Sequence, residues 1–195
     1  MTPRSLTIAL AAVAAIALLV VGLTQLSSSP KPLAPSMMTM AQMRARLTGS
    51  PPALEMLHAQ AGQIVSGGLP ALRARLASLR GMPVVINKWA SWCEPCREEF
   101  GVFQRVSVSR GREVAFLGID TQDTDAHALA FLRSFPVSYP SFSDPGGQAG
   151  LAITESSFTP VTVFLNRRGA TFIHQGPFLS VAKLEQDIAR YALGA

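Results

Sequence analysis

The amino-acid sequence predicts an α/β fold, in which a central mixed β-sheet is covered by helices. From residue 69 onward, short β-branched runs alternate with segments whose apolar residues recur at helical spacing. Near the C-terminus, two such runs are separated only by Arg167, Arg168 and Gly169, which indicates a turn between neighbouring strands. Strands joined through helices should be parallel, and the strands of the terminal hairpin should be antiparallel.

Each predicted element has its own signal. Helices should contain apolar residues on one face and end at glycine or begin at a capping residue, and strands should be β-branched runs between turn residues. In order, the predicted elements are helix 71–81, strand 83–87, helix 94–108, strand 113–120, helix 123–135 with Asp123 or Asp125 as its N-cap, strand 161–166, strand 170–176 and helix 180–193 with Ser180 as its cap.

The N-terminal residues 1–26 predict a membrane anchor. The run from Leu6 to Leu26 carries no charge and is long enough to cross a bilayer, for which about 20 apolar residues are needed. Arg4 precedes the run, so the positive-inside tendency predicts a single-pass protein of the cell membrane whose C-terminal domain is extracytoplasmic. The alternative is a cleaved signal peptide, although no A-x-A-like site follows the run. Either interpretation exports the rest of the chain.

The remaining chain divides into three predicted segments. Residues 27–36 form a linker rich in proline and serine, which should be extended. Residues 37–68 form an N-terminal extension with partly helical spacing. Residues 69–195 contain the α/β domain itself.

The basic charge is dispersed along the chain. The net charge is +5, but the arginines occur singly or in pairs, and no block is long enough to act as a nucleic-acid arm. We therefore expect no nucleic-acid partner. A basic surface would favour anionic lipid headgroups or an acidic partner.

The two cysteines, Cys93 and Cys96, form a C-x-x-C motif and are the only cysteines in the sequence. A structural disulfide would close too small a loop to stabilise a fold strongly. A zinc site needs further nitrogen or sulfur ligands, and the three histidines are scattered without paired spacing, so we expect no metal. The third interpretation, a redox-active dithiol next to a βαβ pattern, is favoured.

The position of the motif suits thiol chemistry. Cys93 should lie where the predicted strand 83–87 gives way to a helix, whose N-terminus favours a thiolate. Pro95 would occupy the first turn, where its missing N–H costs nothing. We expect an exposed attacking thiol at Cys93 and a more buried resolving thiol at Cys96.

The segment VVINKWASWCEPCREEF, residues 84–100, resembles the active-site segment of the TlpA/ResA-type proteins. Residues 157–176 resemble the family's segment with a cis-proline before a strand, and residues 139–147 resemble the loop before it. The resemblance covers residues 69–195 and implies a thioredoxin-like fold and a membrane-anchored, extracytoplasmic thiol–disulfide oxidoreductase without a cofactor.

The resemblance implies roles for particular residues. Cys93 would be the nucleophile, Cys96 the resolving thiol and Glu99 a carboxyl group that tunes both. Pro160 would be the cis-proline, with Thr159 offering its backbone to an extended substrate. An ordinary proline at the start of a strand is the alternative for Pro160.

The neighbours of the dithiol carry charge as well. Trp92, Glu94 and Pro95 complete the active-site loop, and Glu94 would disfavour a thiolate while also suiting the first turn of a helix. Asn87 stands where cytoplasmic thioredoxins carry a buried aspartate, which leaves Glu99 as the predicted proton acceptor unless its side chain faces solvent. Lys88 replaces a residue that is often aromatic in the family, and should either reach solvent from an edge strand or pair with an acid.

The resemblance implies reduction of protein disulfides, with apocytochrome c as a candidate substrate and a membrane dithiol carrier as electron donor. Two alternatives remain open. One is an oxidase that forms disulfides in exported proteins. The other is a metal-binding or copper-delivery module on the same fold, for which wider cysteine spacing and a suitably placed histidine would be expected.

Overall fold

The computed structural model describes residues 37–194. The predicted membrane anchor, residues 1–26, and the linker, residues 27–36, lie outside the described residues. Among the helices of residues 37–194, none combines the length and apolar character that a membrane crossing requires.

A six-stranded mixed sheet forms the centre of the fold. Its strands follow the order β1-β4-β3-β2-β5-β6. Strands β1, β4, β3 and β2 pair in parallel, whereas β5 is antiparallel to both β2 and β6. This arrangement confirms the predicted mixed sheet and the C-terminal hairpin. The strands are β1 (Ile64–Val65), β2 (Val84–Trp89), β3 (Ala115–Thr121), β4 (Ser141–Asp144), β5 (Val161–Leu165) and β6 (Thr171–Gln175).

Within residues 37–194, seven α-helices precede, connect or follow these strands. Four begin at N-cap residues whose side chains accept a hydrogen bond: Thr39 forms a capping box with Gln42, Cys93 caps the fourth helix, and Thr124 and Ser180 cap the fifth and seventh. The helices are α1 (Met40–Leu47), α2 (Pro52–Ala59), α3 (Gly68–Ser78), α4 (Glu94–Arg110), α5 (Asp125–Ser134), α6 (Gln148–Thr154) and α7 (Val181–Asp187), followed by a π-helical segment (Ile188–Leu193).

Two apolar layers lie on the two sides of the sheet. One contains Trp89, Phe100 and Phe131, whose rings pack with centroids 4.7 to 5.0 Å apart. The other contains Leu72, Leu117 and their neighbours beneath α3 and α6. Cys93 and Cys96 belong to the first layer, so the cysteine pair is built onto the core and not onto a separate surface loop.

The segment before α6 differs from its prediction as a loop. Ser141–Asp144 forms the fully buried strand β4, although it carries hydroxyl and carboxyl side chains. Its polar groups are satisfied by specific partners: the hydroxyl of Ser141 accepts from Trp89 Nε1 at 3.0 Å, and that of Ser143 donates to Asp125 at 2.6 Å. Because hydrogen bonds replace apolar contacts here, the hydrophobic pattern does not reveal the strand.

The register of the sheet brings two chain segments together. Lys88, near the end of β2, pairs with Val161 at the start of β5. The chain after β2 leads into Cys93, and the residue before β5 is Pro160. The antiparallel pairing therefore places the cysteine loop and the proline loop at the same end of two adjacent central strands.

Candidate active site

Cys93 and Cys96 form a disulfide, with their Cα atoms 5.3 Å apart. Cys93 is the N-cap of α4, and its sulfur accepts a hydrogen bond from the backbone N–H of Cys96 at 3.2 Å. Pro95 lies in the first turn, as the sequence predicts. The disulfide thus occupies the positive end of a 17-residue helix, where a thiolate released by reduction is favoured.

The exposed attacking thiol expected from the sequence is not found in the disulfide form. Cys93 is 3% exposed and Cys96 is fully buried. Cys93 packs within the apolar layer that also contains Trp89 and Phe100, and this packing accounts for its burial. Cys93 is still the more exposed of the two, as predicted, and the adjacent Trp92 is 59% exposed.

The loop before Cys93 is held by the segment that follows β3. The backbone N–H of Ser91 donates to Asp123 Oδ2 at 2.6 Å, and Trp92 Nε1 donates to the carbonyl of Gln122 at 3.0 Å. The sequence suggested Asp123 only as a helix cap, a role that belongs to Thr124. Sequence reasoning missed this contact because it joins residues 32 positions apart.

Glu99 is buried on the same helix, one turn after Cys96. Its Oε1 accepts from Asn87 Nδ2 at 2.6 Å, and its Oε2 accepts from the backbone N–H of Phe178 at 3.1 Å. Burial raises the pKa of Glu99 to about 8, although both hydrogen bonds act in the opposite direction. The solvent-facing alternative for Glu99 is therefore wrong.

Glu94 occupies the exposed side of the same helix start. Its carboxylate forms an ion pair with Arg97 at 3.3 Å, and both side chains are largely exposed. Solvent screens such a pair, so its effect on the sulfur atoms is smaller than that of a buried carboxyl group.

The peptide bond between Thr159 and Pro160 is cis, in agreement with the resemblance. The carbonyl of Pro160 accepts from the backbone N–H of Gly176 at 3.0 Å, so this end of β5 is tied to the end of β6. Phe158, two residues earlier, is 69% exposed. An exposed aromatic side chain therefore accompanies the cis-proline.

A second buried carboxyl group lies at the end of β3. Asp120 is 1% exposed, and among the described residues neither of its carboxylate oxygens has a hydrogen-bond partner. Burial, the largest cause, and the nearby carboxyl groups of Asp123, Asp125 and Asp144 together raise the pKa of Asp120 to about 8. Within residues 37–194, no group of three or more His, Cys, Asp or Glu side chains is arranged to hold a metal ion.

Lys88 contradicts the expectation of a lysine that reaches solvent from an edge strand. It lies on the central strand β2 and is 2% exposed. Its ammonium group instead donates to the carbonyl of Ser156 at 2.6 Å. This contact directs the side chain towards the segment between α6 and β5.

Two features define this site: the disulfide lies at the start of the helix that follows a central strand, and a cis-proline precedes the adjacent antiparallel strand. Together they define a thioredoxin-like protein with a C-x-x-C pair. The chain belongs to the AhpC/TSA family, whose model matches residues 71–169.

Several proteins with thiol–disulfide names are similar to this chain. The thiol:disulfide interchange protein DsbE of Pseudomonas fluorescens is 34% identical over 94 residues, covering 48% of this chain and 51% of that protein. The thiol-disulfide oxidoreductase ResA of Bacillus subtilis is 30% identical over 100 residues, covering 50% of this chain and 54% of that protein. The chain therefore spans about half the length of these relatives.

The structure is also similar to that of a secreted disulfide oxidoreductase of Mycobacterium tuberculosis. The TM-score is 0.54 at 25% identity, and the match covers 58% of this chain and 85% of the other. The thioredoxin-like fold predicted from the sequence is thereby confirmed.

Proposed function

We propose that this chain is an extracytoplasmic thiol–disulfide oxidoreductase whose Cys93–Cys96 pair, cycling between dithiol and disulfide, reduces protein disulfides by thiol–disulfide exchange. The observation that carries the proposal is the disulfide at the start of α4, followed one turn later by the buried Glu99. Relatives named for thiol–disulfide interchange support the same activity.

In the reducing direction, the Cys93 thiolate attacks one sulfur of a substrate disulfide. A mixed disulfide forms and one substrate thiolate leaves. The Cys96 thiol transfers its proton to Glu99 and attacks the Cys93 sulfur, which releases the second substrate thiolate. Two electrons pass from the dithiol to the substrate, and the Cys93–Cys96 disulfide is restored. Glu99 suits the proton transfer because its pKa, raised by burial to about 8, lies near that of a thiol.

The buried carboxyl group favours the reductase direction over the oxidase alternative. A strong oxidant requires a reduced form with a well-stabilised thiolate. As Glu99 ionises, near pH 8, its negative charge would destabilise that thiolate, and Glu94 would add a weaker effect of the same sign. The disulfide form is then comparatively favoured, and the dithiol is the better electron donor.

The loop before β5 supplies the proposed substrate-binding surface. An extended peptide would pair with the backbone at Thr159 and Pro160, and the exposed Phe158 and Trp92 would contact its apolar side chains. A C-x-x-C-H segment of an apocytochrome c fits this description as a substrate, and a membrane dithiol protein fits as the electron donor that reduces Cys93–Cys96 again.

Trapping tests the proposed roles of the two thiols. Cys96→Ser should accumulate mixed disulfides with protein substrates in exported fractions, because no thiol remains to resolve them, whereas Cys93→Ser should not. Non-reducing electrophoresis followed by mass spectrometry measures both. Trapping by Cys93→Ser alone would reverse the assignment, and trapping by neither variant would overturn the proposed function.

The reduction potential distinguishes the direction of electron flow. We expect a value nearer to about −270 mV than to about −120 mV, the range that reducing and oxidising members of this fold span. Equilibration of the purified protein with glutathione redox buffers measures it. A value at the oxidising end would support the oxidase alternative and contradict the reductase proposal.

We also propose that residues 1–26 anchor the protein in the cell membrane and that its C-terminal domain lies outside the cytoplasm. The uncharged run from Leu6 to Leu26 supports the membrane anchor, and similarity to a protein described as secreted supports export of the domain. The full-length protein should sediment with membranes and be accessible to an external protease in spheroplasts. A soluble mature form that begins near Ser27 would instead establish a cleaved signal peptide.

A further inference from the structure

Lys88 is a buried cation that the thiol–disulfide exchange described above does not use. It lies between β3 and β5, opposite Ile119 on one side and Val161 on the other. Ile86, two residues earlier on the same face, packs in the apolar layer beneath α3 and α6. The surroundings on this face suit an apolar side chain. Burying an ammonium group there costs free energy, which specific hydrogen-bond partners must offset.

The hydrogen-bond partners of Lys88 are Thr154, the last residue of α6, and Ser156, two residues after the end of that helix. Lys88 Nζ donates to the carbonyl of Ser156 at 2.6 Å and lies 3.5 Å from Thr154 Oγ1. The C-terminal end of a helix carries partial negative charge, which favours a cation there. Burial lowers the pKa of Lys88, and the Asp144 carboxylate counteracts this by raising it.

The path of the Lys88 side chain depends on a glycine in α6. A Cβ atom on Gly150 would lie 2.8 Å from Lys88 Cδ and 3.2 Å from Asp144 Oδ2. Any larger residue at position 150 would displace the lysine or the carboxylate. The space for Lys88 is therefore part of how α6 packs on the sheet.

From Ser156, hydrogen bonds continue towards the cis-proline. The hydroxyl of Ser156 accepts from the backbone N–H of Phe158 at 3.1 Å, and its own backbone N–H donates to Thr154 Oγ1 at 3.3 Å. Phe158 is followed directly by Thr159 and Pro160. Lys88 thus connects the strand that leads to Cys93 with the loop that leads to Pro160.

We propose that Lys88 is a positioning residue, which holds the Thr154–Pro160 loop in place beside the dithiol and thereby sets how tightly an extended disulfide substrate binds. This inference rests on the proposed function, because it concerns the substrate-binding loop of that same site. Lys88 acts through Ser156 and Phe158, so it should affect substrate binding and leave the chemistry of the two sulfur atoms unchanged.

Two disulfide probes separate these effects. The first is a synthetic peptide with an intramolecular Cys-x-x-Cys disulfide in an extended sequence, and the second is hydroxyethyl disulfide, which is too small to span the loop. Both probes are used in single-turnover reactions of the full-length protein, whose Cys93–Cys96 pair is reduced and freed of reductant beforehand, so KM here is the peptide concentration that gives half the limiting rate. For Lys88→Met, KM for the peptide should rise about tenfold while the limiting rate stays within about twofold. The rate with hydroxyethyl disulfide should stay within about twofold of the wild-type rate.

Lys183→Met is the matched control, because Lys183 is a half-exposed lysine that pairs with Asp187 on α7. It should leave KM for the peptide unchanged, which separates the position of Lys88 from the simple loss of a positive charge. Ser156→Ala provides a second test that keeps the buried lysine. It removes the hydroxyl that holds the Phe158 N–H and should raise KM for the peptide without changing the rate with hydroxyethyl disulfide.

The inference would be overturned if Lys88→Met lowered the reaction rate equally with both probes. It would also be overturned if KM for the peptide were unchanged in both Lys88→Met and Ser156→Ala. If Lys88→Met does not fold, Ser156→Ala decides between these outcomes. If the wild-type protein reduces neither probe, the proposed function fails and the inference fails with it. If the wild-type protein reduces both probes and the variants behave as the wild type does, the role of Lys88 is refuted while the proposed function stands.

Discussion

At the scale of single residues, the pairing of Asn87 with Glu99 determines which group near the dithiol can titrate. Asn87 Nδ2 donates to Glu99 Oε1 at 2.6 Å, so an aspartate at position 87 would place two carboxyl groups against each other. Such a pair would have to share a proton, and its members would titrate jointly. The asparagine leaves Glu99 as the single titrating member of this contact, and its hydrogen bond partly offsets the cost of burying the carboxylate.

Replacement of Glu99 by Gln should lower the apparent pKa of the reduced thiols by about one unit, because a negative neighbour is removed. The wild-type thiol and Glu99 should titrate as a coupled pair, whereas the variant should give a simpler curve. Thiolate ultraviolet absorbance as a function of pH measures both curves. Resolution of the mixed disulfide should also slow, since the proton acceptor for Cys96 is lost.

The matched control is Glu98→Gln, because Glu98 is the adjacent residue on the same helix and is exposed. Its thiol titration should coincide with that of the wild type. If the Glu99→Gln and wild-type curves also coincide, the carboxyl group does not interact with the sulfur atoms and its proposed role fails.

At the scale of helices and strands, the sequence predicts those elements whose apolar pattern is decisive. Prediction and structure agree for three elements: the β-branched strand β2, the helix that begins beside Cys93, and the hairpin of β5 and β6. Pairing directions were also predictable, because connections through helices require parallel strands. The edge strand β1 is only two residues long, which is too short for a periodic signal.

The elements that sequence reasoning missed are those whose stability comes from polar contacts. The carboxylate of Asp144 binds the start of α6, where it accepts from the backbone N–H groups of Ala149 and Gly150 at 2.9 and 2.8 Å. Lys88 then contacts the other end of the same helix. The strand β4 is buried but rich in serine, and the short helix α6 lies between a carboxylate and an ammonium group. Neither element therefore shows a periodic pattern of apolar residues in the sequence. The sequence therefore does not predict the parts of the candidate site that depend on these contacts, such as the position of the Ser156–Phe158 loop.

At the scale of the whole molecule, two buried carboxyl groups couple folding to protonation. Glu99 and Asp120 lie on different elements, α4 and β3, and both are almost fully buried. Burial raises the pKa of each to about 8. In the unfolded chain, the same groups titrate near about pH 4. Between these values the folded protein binds more protons than the unfolded chain.

The free energy of unfolding should therefore fall as the pH rises from about 4 to about 8, and the contribution of these two groups should be lost above that range. A pKa that rises from about 4 to about 8 corresponds to on the order of 5 kcal/mol for each group, because one pKa unit corresponds to about 1.4 kcal/mol. Urea unfolding of the oxidised protein at several pH values measures this slope.

The variants Glu99→Gln and Asp120→Asn should each flatten this dependence of the unfolding free energy on pH. Each should also be more stable than the wild type at about pH 8, because an amide resembles the protonated acid and carries no charge to bury. Glu98→Gln, at an exposed position, should leave the slope unchanged. A wild-type slope that persists in the double variant would mean that other groups carry the proton linkage, and would refute the raised pKa values on which the proton-transfer role of Glu99 depends.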